Sequence, residues 1–207
     1  RDGHPYVSAD ITAETLSLHR NKALQLQIKE LEQLIPILSI SEVTNLPPEY
    51  FLNRIEELKF ECGKEGERAV KRNPLEPWRQ FLNLMMLKLK PLQKANSLPK
   101  YVYRNPDEVQ SDLKILNKSL KDIGAERLSR NYVLPVQRVL STFGFHLARL
   151  DIRQISSFHE LALQGLLDLA GVELKYAELT EPERREFLMR ALKSKRPFSY
   201  PGARLES

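Results

Sequence analysis

Residues Asn21–Pro36, with the sequence NKALQLQIKELEQLIP, decide the class of fold. Four large apolar residues of this segment lie four, three and four positions apart: Leu24, Ile28, Leu31 and Ile35. This spacing places them on one stripe of an α-helix, because 3.6 residues complete a helical turn. We therefore predict a helix to about Leu34, with Thr12 as its N-cap and Pro36 ending or kinking it.

The same spacing recurs along most of the chain. Further helices are predicted from Pro48, from Glu76 to about Lys94, from Asn105 to Gly124, from Glu126 to Thr142, from Phe158 to Ala170 and from Thr180 to Lys193. Gly63 and Gly66 predict a loop after the second helix. Asn105 followed by Pro106 is typical of a helix start, since asparagine caps the first turn and proline needs no backbone partner there. The predicted fold is mainly α-helical, with one or two short strands.

Composition limits the class of protein. With 207 residues, 42% of them hydrophobic, the chain has enough apolar content for a buried core, so wholesale disorder is excluded. Cys62 is the only cysteine, which excludes an intrachain disulfide and a zinc site built from cysteines, and favours a reducing cytosol. No apolar run approaches the roughly 20 residues of a membrane span. We expect a cytoplasmic chain without a membrane partner.

The charge balance is mildly basic. There are 32 Lys and Arg against 27 Asp and Glu, a net charge of +5. The segment from Pro77 to Pro106 has no acidic residue but carries six cations: Arg79, Lys88, Lys90, Lys94, Lys100 and Arg104. This run of cations fits a solvated helix face followed by a loop. It also fits a surface that binds an anion or a partner. The overall density of charge is below that of a dedicated nucleic-acid binder, and none is predicted as a partner.

A short segment after Gly144 breaks the helical pattern. From Leu147 to Arg153 the polar residues alternate with apolar ones, which predicts a strand with Arg149, Asp151 and Arg153 on one face. Two guanidinium groups held by a carboxylate suit a bound phosphate or carboxylate, because each arginine can donate two parallel hydrogen bonds. A buried ladder of ion pairs fits the same spacing, and both interpretations stay open at this point.

Two sequence segments resemble the phosphoenolpyruvate carboxylase family. Residues 1–12, RDGHPYVSADIT, are similar to the family segment GGDRDGNP-x-V-T-A-x-x-T without its leading Gly-Gly-Asp. Residues 142–154, TFGFHLARLDIRQ, are similar to FG-x-x-L-x-x-LDIRQ, which is highly specific. Residues 194–197, SKRP, give a third and weaker match. His4 replaces the usual Asn and Ile155 replaces a common Glu, departures that favour either a divergent bacterial branch or a homologue with altered activity.

This resemblance implies that residues 1–207 form a single helical region, an internal fragment of a longer enzyme with a (β/α)₈-like barrel. The enzyme would be a cytosolic homotetramer under allosteric control. It would convert phosphoenolpyruvate and bicarbonate into oxaloacetate and phosphate with Mg²⁺ or Mn²⁺. The metal ligands and the catalytic histidine would lie outside the fragment, so the chain alone would be inactive and would hold no catalytic residue and no metal.

The resemblance also assigns roles to individual residues. Arg153 matches the family arginine that contacts the substrate phosphate. Arg1 would support substrate binding at the mouth of the active site, with Asp2 beside it. Arg149 and Asp151 would orient the phosphate arginine and adjust the local charge. The alternative function is a non-enzymatic helical module that binds an anionic partner or nucleic acid.

Overall fold

The computed structural model describes residues 7–93, 98–151, 153, 155–195 and 197–199. Contacts between Cα atoms divide the chain into two compact units. We call residues 8–149 the main unit, and the described residues from 150 to 199 the C-terminal unit. The described part of the chain is mainly helical and contains no strand, so the helical fold class is confirmed.

The main unit contains six α-helices among its described residues. Their bounds are α1 Ala9–Ile37, α2 Glu49–Lys71, α3 Pro77–Leu89, α4 Pro106–Asp122, α5 Glu126–Leu128 and α6 Leu134–Phe143. A 3₁₀ turn, Lys90–Gln93, follows α3, and a π-helical turn, Ser129–Val133, joins α5 to α6. The C-terminal unit has α7 Ser156–Leu169, a 3₁₀ turn Tyr176–Glu178 and α8 Glu181–Lys193.

Local signals place most helix ends correctly. Asn105 caps α4 as predicted, because its side chain accepts a hydrogen bond from the Glu108 amide at 3.1 Å. The N-cap predicted for α1 is wrong, since Ser8 rather than Thr12 accepts the bond from Ile11. The loop predicted at the two glycines of α2 is also wrong. The helix continues through them with a kink at Gly63, whose φ of 56° and ψ of −135° favour glycine.

The core of the main unit lies between its four long helices and α6. Phe51 of α2 packs against the rings of Trp78 and Phe81 of α3, with ring centroids 5.6 and 4.9 Å apart. Trp78 is fully buried and its indole N–H donates to the Ser119 hydroxyl of α4 at 3.0 Å. Leu24, from the stripe that predicted α1, is fully buried in the same core. The apolar spacing in the sequence therefore identifies the face of α1 that packs into the core.

The C-terminal unit is held largely by polar contacts. Among its described hydrophobic residues, only Leu167 and Tyr176 are buried. Arg184 of α8 pairs with Glu160 of α7 at 2.9 Å and donates to two backbone carbonyl groups between these helices. The Gln164 side chain adds hydrogen bonds from α7 to the segment before the 3₁₀ turn. None of the described helices in either unit has the length and hydropathy of a transmembrane span.

Candidate functional site

The turn after α6 precedes the candidate arginines. Gly144 ends the helix with φ 50° and ψ −136°, and its amide donates to the Leu140 carbonyl. A Cβ atom at Gly144 would lie 2.9 Å from Nδ1 of His146, so the exposed imidazole ring would have to shift to admit a side chain. The Leu147 amide closes the turn by donating to the Phe143 carbonyl at 2.8 Å. The glycine of the FG-x-x-L segment is thus favoured by its backbone conformation, and the His146 ring lies close to it.

The predicted strand from Leu147 to Arg153 is wrong for its described residues. Leu147 has a φ of 62°, in the left-handed region, which is incompatible with an extended strand. The residues from Ala148 to Asp151 form a bend and irregular coil, as does Arg153. A strand needs a neighbour that accepts and donates its backbone hydrogen bonds, and the described part of the chain supplies none.

The three polar residues of this segment are exposed to solvent. Arg149 is the last residue of the main unit, and the other two belong to the C-terminal unit. Asp151 and Arg153 form a long ion pair of 3.8 Å, with side chains 81% and 68% exposed. Within the described part of the chain these two side chains are not buried, and the anion site and the ion-pair ladder both stay predictions.

Two other predicted site residues, Arg1 and Asp2, lie outside the described residues. Their predicted role at the mouth of a substrate site therefore stays a prediction. The described residues contain no group of three or more His, Cys, Asp or Glu side chains that could hold a metal ion.

A cluster of buried charges in the main unit was missed by sequence reasoning. Asp112 of α4 is 1% exposed, and it accepts from Arg54 Nε at 2.9 Å and from the Tyr103 hydroxyl at 2.7 Å. Burial, with the carboxylate beside it, raises the pKa of Tyr103 well above its ordinary value. Lys88, 6% exposed, pairs with Glu61 at 2.5 Å. The one available signal was Lys88 itself, a cation within the apolar run of α3.

This cluster lines a cavity of about 450 Å³, which we call the Arg54 cavity. Its charged lining residues are Arg54, Glu61, Lys88, Lys100, Arg104 and Glu108. Two of these cations are paired, Arg54 with Asp112 and Glu61, and Lys88 with Glu61. Buried charges are tolerated when they are paired in this way, so the arrangement is typical of a structural network.

The acid-free segment from Pro77 to Pro106 does not form one anion-binding surface. Its cations pair with acids from other parts of the main unit, as Arg79 does with Glu76 and Lys90 does with Glu32, both at 2.8 Å. Lys94 lies outside the described residues. Among the cations that the structure describes, most of the positive charge is therefore compensated within the fold.

Comparison with known proteins agrees with the motifs around the candidate arginines. The family model described as "Phosphoenolpyruvate carboxylase" matches residues 1–207. The phosphoenolpyruvate carboxylase of Rhodothermus marinus is 37% identical over 211 residues, covering 99% of this chain. Those of Nocardia farcinica and Bradyrhizobium diazoefficiens are 32% and 31% identical over 99% and 97% of the chain. In each case the chain spans 22% of the relative's length.

The match extends beyond the segments that carry the motifs, since the family model spans residues in every described helix of both units. A match over all 207 residues, with relatives above 30% identity, is decisive for descent. The chain belongs to the phosphoenolpyruvate carboxylase family.

Proposed function

We propose that this chain is a helical part of a phosphoenolpyruvate carboxylase and that it supplies Arg153 to the substrate site. The observation that carries the proposal is the family match over the whole chain, together with the segment Leu150–Gln154 that contains this arginine. The chain spans about a fifth of the length of its relatives, so most of the active site belongs to the rest of the enzyme.

The reaction joins bicarbonate to phosphoenolpyruvate in two stages. A bicarbonate oxygen attacks phosphorus, and the bond from phosphorus to the enol oxygen breaks with its electron pair going to the enolate. Carboxyphosphate then releases carbon dioxide and phosphate, and the enolate carbon attacks the carbon dioxide to give oxaloacetate. The phosphate and the enolate both carry negative charge, so cationic donors that stabilise them lower the barrier. A bound divalent metal ion adds to this stabilisation in the complete enzyme.

Arg153 suits the phosphate of the substrate. Its guanidinium is always charged and presents a planar fork of N–H donors that matches two phosphate oxygens. Asp151, 3.8 Å from this guanidinium, restricts its orientation without burying it. Arg149, four residues before Arg153, adds positive charge. We assign Arg1 and Asp2 a supporting role at the same site.

The rest of the proposal concerns the complete protein. It acts in the cytoplasm as a homo-oligomer under allosteric control, and it carries the Mg²⁺ or Mn²⁺ ligands outside these 207 residues. The isolated chain forms no oxaloacetate, because the catalytic histidine and the metal ligands lie elsewhere. Oxaloacetate can be measured by coupling its formation to malate dehydrogenase and NADH oxidation. Formation of oxaloacetate by the isolated chain would contradict the proposal that the other catalytic groups lie outside these 207 residues.

The decisive experiment replaces Arg153 in the full-length protein that contains this chain. Arg153→Ala should lower kcat/KM for phosphoenolpyruvate roughly a hundredfold, because a charged contact to phosphate contributes several kcal/mol. Arg153→Lys should recover part of the loss, since it restores the charge but not the fork. Arg185→Ala, at an exposed arginine of α8, is the matched control and should leave kcat/KM unchanged. Normal kinetics for Arg153→Ala would remove this residue from the substrate site.

A further inference from the structure

A polar groove runs between α4 and α6 in the main unit, with a volume of about 470 Å³. We call it the α4–α6 groove. Its charged lining residues are Lys114, Lys118, Lys121 and Arg138. Among the described residues that line this groove there is no carboxylate. Four positive charges therefore share one concave surface without a lining anion to compensate them.

The Arg54 cavity of the same unit shows the contrast. There two of the four lining cations have partners, since Arg54 bonds to Asp112 and Lys88 bonds to Glu61, and the lining includes the carboxylates of Glu61 and Glu108. In the α4–α6 groove none of the four cations makes an ion pair within the described part of the chain. The two cavities have similar volumes, so the difference is one of charge compensation and not of size.

The lysines of the groove form a row along α4. Lys114, Lys118 and Lys121 are spaced by four and three residues and so lie on one face of the helix. Like charges at this spacing repel one another and destabilise a helix. Lys118 is partly compensated, since its ammonium lies 4.2 Å from the ring centroid of Tyr50, whose hydroxyl donates to Asp122 at the end of α4. An anion in the groove would turn this repulsion into attraction.

Neutral polar side chains and Leu134 complete the lining, and among them Gln110 has a buried Oε1 without a hydrogen-bond partner. Gln137 is 6% exposed, and its Oε1 accepts a hydrogen bond from Asn117 Nδ2 at 3.2 Å. This orientation leaves its Nε2 group as a donor, which has no hydrogen-bond partner in the described part of the chain. Asn117 is itself fixed, because its Oδ1 accepts from the Ser129 hydroxyl. Ser129 begins the π-helical turn Ser129–Val133, a local geometry that is frequent at functional sites.

We propose that the α4–α6 groove is a binding site for a small anion that carries phosphate groups. Its volume lies within the range of small-molecule sites. Lysine ammonium groups bind phosphate as point charges, and Arg138 adds a fork that matches two phosphate oxygens. The carboxylates of an acidic peptide would need an extended track, whereas these donors converge on one concave surface. The site shares no residue with the proposed substrate contacts, so it stands independently of the proposed function.

The test measures binding of pyrophosphate to the full 207-residue chain by titration calorimetry at about 50 mM and about 200 mM salt. We expect saturable binding that weakens as salt rises. The double variant Lys114→Gln and Arg138→Gln should weaken binding at least about tenfold, because both lost charges face the ligand. Lys121→Gln alone, at an exposed position near the end of α4, should weaken it about threefold.

The matched control replaces two exposed lysines outside the groove, Lys22→Gln and Lys64→Gln, which removes the same number of charges. It should leave the dissociation constant of pyrophosphate within about twofold of the original. Circular dichroism and the thermal midpoint verify that each variant is folded. Absence of binding at millimolar pyrophosphate would overturn the proposal, as would equal weakening by the control pair. Tighter binding of a glutamate-rich peptide than of pyrophosphate would overturn the phosphate assignment.

Discussion

The two units of the chain are stabilised in different ways. In the main unit every long helix contributes fully buried apolar side chains to one core, including Leu24, Phe51, Trp78 and Leu113. In the C-terminal unit α8 has no buried residue, and α7 buries only Leu167. Apolar burial is the dominant favourable contribution to folding. The main unit therefore carries its own source of stability, and the C-terminal unit depends on polar contacts and on the contacts of Phe187 with Tyr176 and Phe198.

Both units also leave large apolar side chains exposed, such as Phe60 in the main unit at 88%. Within the described part of the C-terminal unit, Leu192 is 82% exposed and Leu161 is 68% exposed. Packing within the unit buries little of the surface of these two side chains on α7 and α8. The difference teaches that the apolar periodicity of a helix does not by itself create a core, since the facing surface must also be present.

The largest effect is expected from the core of the main unit. Trp78→Ala removes a fully buried indole, together with its hydrogen bond to Ser119, and should lower the free energy of unfolding by about 3–5 kcal/mol. Guanidinium unfolding followed by circular dichroism measures this loss. Phe60→Ala, at a side chain that is 88% exposed, is the matched control and should change stability by less than about 0.5 kcal/mol. Equal losses for the two variants would mean that this core does not hold the unit together.

The second effect concerns the accessibility of Cys62, a buried thiol of α2 in the main unit. Burial raises the pKa of the Cys62 thiol to about 11 from an ordinary value of 9.0. Because the thiolate is the reactive form, Ellman's reagent at pH 8 should label the native thiol about a hundredfold more slowly than an exposed one. The raised pKa stabilises the fold at pH values below about 9, and this contribution is lost as the pH rises towards 11.

The control for Cys62 is the same chain unfolded in guanidinium, where the thiol is exposed and its pKa is ordinary. Native labelling should accelerate about tenfold per pH unit until the native pKa is reached. Equal labelling rates before and after unfolding would show that the main unit opens readily around α2, and the contrast between the two units would fail.

The third effect compares one glycine from each unit. Gly144 and Gly171 both have positive φ, at 50° and 67°, but only Gly144 has atoms that an added Cβ would meet. Gly144→Ala should lower stability by about 2–3 kcal/mol, and Gly171→Ala by about 1 kcal/mol, because the second change adds backbone strain alone. Thermal unfolding of both variants measures the difference. A larger loss for Gly171→Ala would contradict the close approach of His146.

Sequence patterns predicted the local features and missed the distant ones. The bounds of α4 follow from Asn105, Pro106 and Gly124, all signals that act within one or two turns. The kink at Gly63 has the same local signal as a loop, so it was placed wrongly. The pairing of Arg54 with Asp112 joins residues 58 positions apart, and no periodicity reports it.

The candidate site shows the same limit. The alternation from Leu147 to Arg153 fits a strand, yet a strand forms only when a neighbour satisfies its backbone, and the described residues offer no such neighbour. Arg153 was identified by its motif, which does not depend on the local backbone. The sequence places Lys114, Lys118 and Lys121 on one face of α4 by their spacing of four and three residues. Only the fold places Arg138, from another helix, in the same groove.

The smallest effect is expected in the C-terminal unit. Arg184→Ala removes the ion pair with Glu160 and the hydrogen bonds to the carbonyl groups of Ala177 and Leu179. Since the Arg184 side chain is 22% exposed, water replaces part of these contacts, and the loss should be about 1 kcal/mol. Hydrogen exchange of the α7 and α8 amides measures this loss, and amides of the main unit should keep their protection. Arg185→Ala, at the exposed neighbouring position, should leave both sets unchanged. Faster exchange in the main unit of the Arg184 variant would show that the two units unfold together, which their separate sources of stability do not predict.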